Sequence, residues 1–144
     1  MHDRISRVLE RKGHDVATTA PGTSVVLAVE HMNDRHIGAL VVVDGTRLAG
    51  IFTERDVLVR VVAAGRDPRV TMVADVMTPD PVIVRPDMTI GDAMRLITER
   101  RCRHLPVVDD TGLCGLISSG DLTSWVVRLR EAEINDLQDY IRAV

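Results

Sequence analysis

The sequence has few aromatic residues, few cysteines and no long hydrophobic run. Its three aromatic residues, Phe52, Trp125 and Tyr140, are too few for a surface on which nucleic-acid bases stack. Its net charge of −3 also argues against a nucleic-acid partner, which favours a basic surface. No apolar stretch is long enough to cross a bilayer, so we expect no membrane segment. With no leader peptide expected, Cys102 and Cys114 predict reduced thiols in a cytoplasmic protein rather than a disulfide framework.

An internal repeat organises most of the chain. When the sequence is shifted by 65 positions, residues 37–50 align with residues 102–115 without a gap. Near the N-terminus the shift becomes 68, so the first copy carries three extra residues around Gly13. We interpret this pattern as a duplication.

The repeat divides the chain into three predicted parts. We expect a first copy over residues 1–66, a second copy over residues 67–130 and a C-terminal helical extension over residues 131–144. Residues 63–71 form the linker, because their glycine and proline residues interrupt regular elements.

Each copy predicts the element order β-α-β-β-α. Apolar residues recur at the spacing of one helix face, and two short apolar strands and a second helix follow. The residues between the two strands, Asp44 and Gly45 in the first copy and 109–112 in the second, are typical of a hairpin turn. The helix-face residues are Val25, Ala28, Val29 and Met32 in the first copy and Ile90, Ala93, Met94 and Ile97 in the second. Since strands that are apolar throughout have both faces covered, we predict an α/β (α+β) fold with the two copies packed sheet to sheet.

Several segments resemble the CBS-domain family, named for cystathionine β-synthase. They are Leu-Pro-Val-Val-Asp at residues 105–109, Val-Met-Thr-Pro-Asp-Pro-Val at residues 76–82, and paired Gly-x-x-Ser/Thr-x-x-Asp segments at residues 50–56 and 115–121. The resemblance covers essentially the whole chain as two tandem CBS repeats. It implies a disc-like module with two clefts that bind adenosyl ligands such as AMP, ADP, ATP, NAD(H) or S-adenosylmethionine. It also implies that two modules associate into a dimer.

Each paired segment places a hydroxyl and a carboxylate three residues apart where a strand meets a helix. The pairs are Thr53 with Asp56 and Ser118 with Asp121, and this spacing puts both groups on one face of the helix start. A carboxylate offers two acceptor oxygens to the paired hydroxyls of a ribose, and free N–H groups at a helix start favour phosphate. The same spacing is also a capping box, which needs no ligand. Spacing alone favours the cap, the resemblance favours ribose binding, and the two roles are compatible.

The resemblance implies that each cleft joins the carboxylate segment of one repeat to the first strand and pre-strand residues of the other. The first cleft is expected to contain Ile51, Thr53, Arg55, Asp56, Thr78, Pro81, Val82, Ile83, Cys102, Arg103 and His104. The second cleft is expected to contain Lys12, His14, Val16, Ile37, Gly38, Ala39, Ile117, Ser118 and Asp121. Because Arg103 and His104 belong to the first set, we expect the first cleft to be the more basic and to take the more highly charged phosphate group.

The remaining polar residues predict neither a catalytic site nor a metal site. The five histidines have no metal-ligand spacing with cysteine or carboxylate, and no nucleophile with a neighbouring base is visible. Cys102 aligns with Ile37 and Cys114 aligns with Ala49, so we interpret both thiols as small packing residues.

The C-terminal segment predicts a helix with one apolar seam. Ile134, Leu137, Ile141 and Val144 follow alternating steps of three and four residues, which is the spacing of a short coiled coil. A homodimer through this seam and an amphipathic helix docked on its own module are both consistent with the pattern. The acidic polar face argues against binding to a membrane surface.

These observations together predict a cytoplasmic, non-enzymatic regulatory module that binds an adenine nucleotide and forms a homodimer. An unidentified protein partner would respond to the bound ligand. The alternative is a structural dimerisation or protein-interaction module whose clefts are vestigial.

Overall fold

The computed structural model describes residues 2–144 and shows helices and strands in a repeating order. The helices are α1 (Ile5–Lys12), α2 (Val25–Arg35), α3 (Glu54–Asp56, continued by a π-helical segment, Val57–Val62), α4 (Val73–Val76), α5 (Ile90–Arg100) and α6 (Ser119–Ala143). The strands are β1 (Thr18–Thr19), β2 (Ala39–Asp44), β3 (Arg47–Thr53), β4 (Thr78–Pro79), β5 (His104–Asp109) and β6 (Gly112–Ser118). The mixed architecture with a C-terminal helix confirms the predicted α+β fold class.

An antiparallel hairpin forms the centre of each copy. In the first sheet, β2 pairs with β3, while β1 lies parallel to β2 and β4 lies antiparallel to β3. In the second sheet, β5 pairs with β6, and the strand equivalent to β1 is a single bridge between Val84 and Val107. Gly45 in the first hairpin turn has a φ of 62°, which glycine adopts without strain. The hairpin predicted at Asp44 and Gly45 is therefore confirmed.

The two short helices α1 and α4 are exchanged between the copies. Helix α1 comes first in the chain, but its Ile5 and Leu9 are buried in the hydrophobic core that contains Leu105 of the second copy. Reciprocally, α4 buries Val73 in the core that contains Phe52 of the first copy. Neither helix was predicted from the sequence, and neither core is made from one copy alone.

Backbone hydrogen bonds hold the exchanged segments in place. The Ile90 N–H donates to the Asp3 carbonyl at 2.8 Å, and the Val73 N–H donates to the Thr23 carbonyl at 2.9 Å. Each bond joins residues of different copies, so the two copies form one packed unit. The division into residues 1–66 and 67–130 describes the repeat in the sequence and stays a prediction as a domain boundary.

Two equivalent glycines allow the exchanged segments to approach the hairpins. A Cβ atom on Gly50 would lie 2.6 Å from the Thr78 carbonyl oxygen and 2.7 Å from the Met77 sulfur. A Cβ atom on Gly115 would lie 2.6 Å from a methyl carbon of Leu9. The repeated glycine therefore leaves space for the segment that the other copy contributes, and this packing brings residues of both copies to each strand-to-helix junction.

Helix α6 extends beyond the second copy. Its N-terminal part is anchored, because Leu122 is buried and the Trp125 indole N–H donates to Asp3 Oδ2 at 3.1 Å. From residue 130 to residue 144 every residue is exposed, including Ile134 and Leu137 at 53% and 62%. The C-terminal seam is therefore not docked on its own module, which was one of the two expectations.

Candidate functional site

Both strand-to-helix junctions form complete capping boxes. At the first junction, the Thr53 N–H donates to Asp56 Oδ2 at 2.9 Å and the Asp56 N–H donates to Thr53 Oγ1 at 3.3 Å. At the second, the Ser118 N–H donates to Asp121 Oδ2 at 2.8 Å and the Asp121 N–H donates to Ser118 Oγ at 3.1 Å. The structural role predicted from the spacing is confirmed at both junctions.

The carboxylate of the first junction is enclosed by its own surroundings. Asp56 is buried, with 8% of its surface exposed, and its Oδ1 lies 3.7 Å from Arg60 Nε one helical turn later. The same Arg60 donates to the carbonyl oxygens of Val76 and Met77 at 3.1 and 2.9 Å. Both carboxylate oxygens of Asp56 therefore already face donors from the chain.

The structure brings only part of the expected first cleft together. Ile51 and Thr78 are directly opposite each other in the pairing of β3 with β4, next to the first junction. Arg55, Ile83 and Arg103 are exposed, and Pro81 is half-buried. Val82 and Cys102 instead pack against the core of the second copy, together with Cys114.

The two thiols have the packing role that the alignment predicted. Cys102 and Cys114 are free and half-buried, and burial raises the pKa of both thiols. A raised thiol pKa disfavours the reactive thiolate at neutral pH.

Residues from the first copy reach the second junction. Lys12 Nζ donates to Asp121 Oδ2 at 2.6 Å and to the Leu116 carbonyl oxygen at 2.7 Å. His14 Nδ1 lies 3.1 Å from the Cys114 carbonyl oxygen. Burial raises the pKa of Asp121, but the hydrogen bonds from Lys12 and Ser118 and the Lys12 charge outweigh it, so the pKa is lowered overall. Asp121 therefore carries its negative charge at neutral pH.

A cavity of about 230 Å³ lies between the copies beside this junction. Its lining includes six residues that were expected in the second cleft, namely Lys12, Val16, Ile37, Gly38, Ala39 and Ser118. Ile117 is absent from the lining because its side chain is buried in the core of the second copy. Asp121 lies on the far side of Lys12, where it lines a neighbouring cavity of about 210 Å³ with Arg11 and Arg128.

His104 lies on the side of the second junction rather than the first. It was grouped with Asp56 from the sequence, but it lines the cavity with Lys12 and Ser118. Burial and the positive charge of Lys12 lower its pKa, with Arg103 adding to the effect and Asp121 and Glu54 opposing it. Lys12, Arg35 and His104 therefore line one cavity at the second junction, whereas the expectation of a more basic first cleft placed His104 at the first.

The sequence did not single out four other lining residues, which are Asp15, Ala17, Arg35 and Leu116. The 65-position shift also aligns Arg35 with Arg100, but this match predicts no function, because charged residues at a helix end are usually solvated. Its place in the cavity follows from the end of α2 at Arg35, after which His36 has a φ of 53°. The chain therefore turns sharply between Arg35 and the pre-strand residues Ile37 and Gly38.

Two observations on the described part of the chain limit the kind of site. Residues 2–144 contain no group of three or more histidine, cysteine, aspartate or glutamate side chains placed to hold a metal ion. No helix in the same range has both the length and the apolar character needed to span a membrane.

The chain is similar to known proteins along most of its length. The CBS domain family matches it twice, over residues 6–63 and 73–128. The CBS domain-containing protein CBSX3, mitochondrial, of Arabidopsis thaliana is 37% identical over 96% of this chain and 71% of its own length. A CBS-domain structure from Burkholderia ambifaria, whose name assigns it to signal transduction, is 39% identical with a TM-score of 0.84, covering 88% of this chain and 95% of that one.

A second similar structure is the hexameric CBS-CP12 protein of bloom-forming cyanobacteria. It is 26% identical with a TM-score of 0.80, and the alignment covers 100% of this chain and 88% of that one. The first family match falls on the first copy of the internal repeat and the second match on the second copy. The resemblance seen in the sequence is therefore confirmed. The chain therefore belongs to the CBS-domain family and contains two copies of the CBS domain.

Proposed function

We propose that this protein is a non-catalytic regulatory module that binds an adenine nucleotide in the cavity beside Ser118 and Asp121. The observation that carries the proposal is the cavity of about 230 Å³ lined by residues of both copies. CBS-pair proteins are often regulatory, and a related Burkholderia protein is named for signal transduction.

The lining has the chemical groups that a nucleotide requires. Val16, Ile37 and Leu116 offer apolar surface to a base, and apolar walls with a few polar groups are typical of small-molecule sites. Lys12 and Arg35 offer charged donors to a phosphate, which binds best to charged donors, and His104 adds its imidazole ring. Asp121 lies just outside this lining, in the neighbouring cavity beyond Lys12. Its Oδ1 accepts no hydrogen bond within residues 2–144, and it is the acceptor that we propose for the sugar hydroxyls.

Regulation follows from the position of the cavity between the copies. A ligand that contacts Gly38 and Ala39 of the first copy and Ser118 of the second favours one arrangement of the two. A protein partner, or a second copy of this chain, would respond to that arrangement.

A thermal-shift panel with AMP, ADP, ATP and NAD(H) tests the proposed binding. At a ligand concentration 100 times the dissociation constant, the free energy of unfolding rises by about 2.7 kcal/mol, so the melting temperature rises by several degrees. Asp121→Asn should abolish most of the shift because it removes the charged acceptor. Asp56→Asn is the matched control, because that carboxylate is enclosed by Arg60 and Thr53.

A structural module with vestigial clefts is the second candidate function. It is favoured by one observation, namely that Asp56 and Asp121 both form capping boxes and ion pairs within the chain. In that case no adenine nucleotide shifts the melting temperature of the wild-type protein.

We further propose that the exposed seam of α6 forms a homodimer with the same seam of a second copy. Ile134, Leu137 and Ile141 are more than half exposed, and Val127, one heptad before Ile134, is 49% exposed. These apolar residues recur along α6 and are solvated in the single chain, although Arg130 and Glu131 separate Val127 from Ile134. CBS-domain proteins can assemble, as the hexameric CBS-CP12 protein does.

A further inference from the structure

We propose that Lys12 makes the cavity selective for phosphorylated ligands. In the absence of ligand Lys12 is paired with Asp121, and a bound phosphate attracts Lys12 away from this carboxylate. This inference rests on the proposed function and concerns which ligand the same cavity accepts. Lys12 would thereby couple recognition of the phosphate to recognition of the sugar.

The position of Lys12 supports this role. It is the last residue of α1, its Nζ bridges Asp121 Oδ2 and the Leu116 carbonyl oxygen, and its side chain lines both neighbouring cavities. The carboxylate that would hold the sugar hydroxyls is therefore already paired with a cation from the other copy. A sugar that binds Asp121 has to share or displace this cation.

The ion pair between Lys12 and Asp121 is able to separate when a competing anion binds. The side chains of Lys12 and Asp121 are 36% and 25% exposed, and a pair with such access to water contributes little to stability. A lysine ammonium sits on a flexible four-carbon stem and is able to follow a moving partner. A phosphate carries more negative charge than one carboxylate, so it competes well for Lys12.

The rest of the lining favours an anionic group over a cationic one. Arg35 and His104 join Lys12 around the cavity, while Asp15 is the acidic residue among those that line it. A ligand that ends in a phosphate would therefore meet an excess of donors, and a positively charged ligand would not. The cavity should discriminate against ligands that lack the phosphate.

The first junction has no equivalent of Lys12. The 68-position shift aligns Lys12 with Asp80, which has the opposite charge and lies 3.7 Å from Arg47. The cation beside Asp56 is Arg60, which comes from the same copy and also donates to two carbonyl oxygens. The coupling that we propose is therefore specific to the second junction.

Calorimetric titration of the full chain with AMP and with adenosine tests the role of Lys12. We expect the wild-type protein to prefer AMP, and Lys12→Gln to reduce the ratio of the two affinities about tenfold or more, since it removes one charged donor. Adenosine should bind Lys12→Gln as well as or better than wild type, because Asp121 is no longer paired. Arg11→Gln is the matched control, because Arg11 is the adjacent cation and lines the neighbouring cavity but not the proposed nucleotide cavity.

The possible outcomes separate the inference from the proposed function. If no protein binds either ligand, the proposed function and the inference both fail. If wild type binds AMP and Lys12→Gln keeps the same ratio, or weakens both ligands equally, the inference alone is overturned.

A second measurement needs no variant. Wild-type protein is titrated with AMP, adenosine and their 2′,3′-dideoxy analogues, which lack the sugar hydroxyls. We expect the hydroxyls to increase affinity by a larger factor when the phosphate is present than when it is absent. Equal factors would show that the two groups bind independently and would overturn the role of Lys12.

Discussion

Asp56 and Asp121 occupy equivalent positions in the repeat, yet their surroundings differ. Asp56 is buried beside Arg60, a residue of its own helix, whereas Asp121 pairs with Lys12 from the other copy. The capping geometry is the same at both, because it depends on atoms only three residues apart. Asp121 is the more accessible of the two carboxylates, because its side chain is 25% exposed and that of Asp56 is 11% exposed.

His104 is the residue through which pH should affect stability. Burial and the charge of Lys12 lower its pKa in the folded protein, while the unfolded chain regains the ordinary value of about 6.5. Below that pH the unfolded chain binds a proton that the folded protein does not, so the free energy of unfolding should fall from pH 7.5 to pH 5.

Urea denaturation across this pH range checks the prediction. His104→Gln should make the dependence on pH shallower, whereas His2→Gln, at an exposed position, should leave it unchanged. A wild-type protein and a His104→Gln variant with the same slope would contradict the assignment.

At the scale of elements, the sequence pattern did not predict the exchange of α1 and α4 between the copies. The predicted hairpins and the long helices α2 and α5 are present, because local spacing of apolar residues encodes them. Helix α1 has eight residues and α4 has four, so each needs tertiary packing to be stable. Which core buries them depends on contacts with the other copy.

Substitutions in α1 and α4 should destabilise the copy whose core each helix packs into. Leu9→Ala removes a buried side chain from the second core and should lower the free energy of unfolding by about 2–5 kcal/mol. Hydrogen exchange should then accelerate in β5 and β6 more than in β2 and β3. Val76→Ala, in the first core, is the matched variant and should show the reverse pattern. For each variant, faster hydrogen exchange in the hairpin of the copy that carries the substituted helix would contradict the exchange of helices between the copies.

At the scale of the whole molecule, the exposed C-terminal seam is the surface through which we propose that two chains associate. Sedimentation should show a dimer for the wild-type protein, and Leu137→Glu should shift it toward monomer by placing a charge in an apolar seam. Leu58→Glu is the matched control, since Leu58 is similarly exposed, at 64%, on the π-helical segment. If only Leu58→Glu dissociates the dimer, the interface lies on the module rather than on α6.

The repeat could be predicted by comparing the amino-acid sequence with itself. The hairpins and the two capping pairs could be predicted because each depends on residues close together in the chain. The resemblance to the family grouped Lys12 with Asp121 in one cleft, but their ion pair could not be predicted, since the two residues are 109 positions apart and no local pattern links them. His104 shows the same limit, because the folded arrangement of the copies determines which junction it faces. Local spacing encodes the elements, whereas the chemistry of the cavity arises from long-range packing of the two copies.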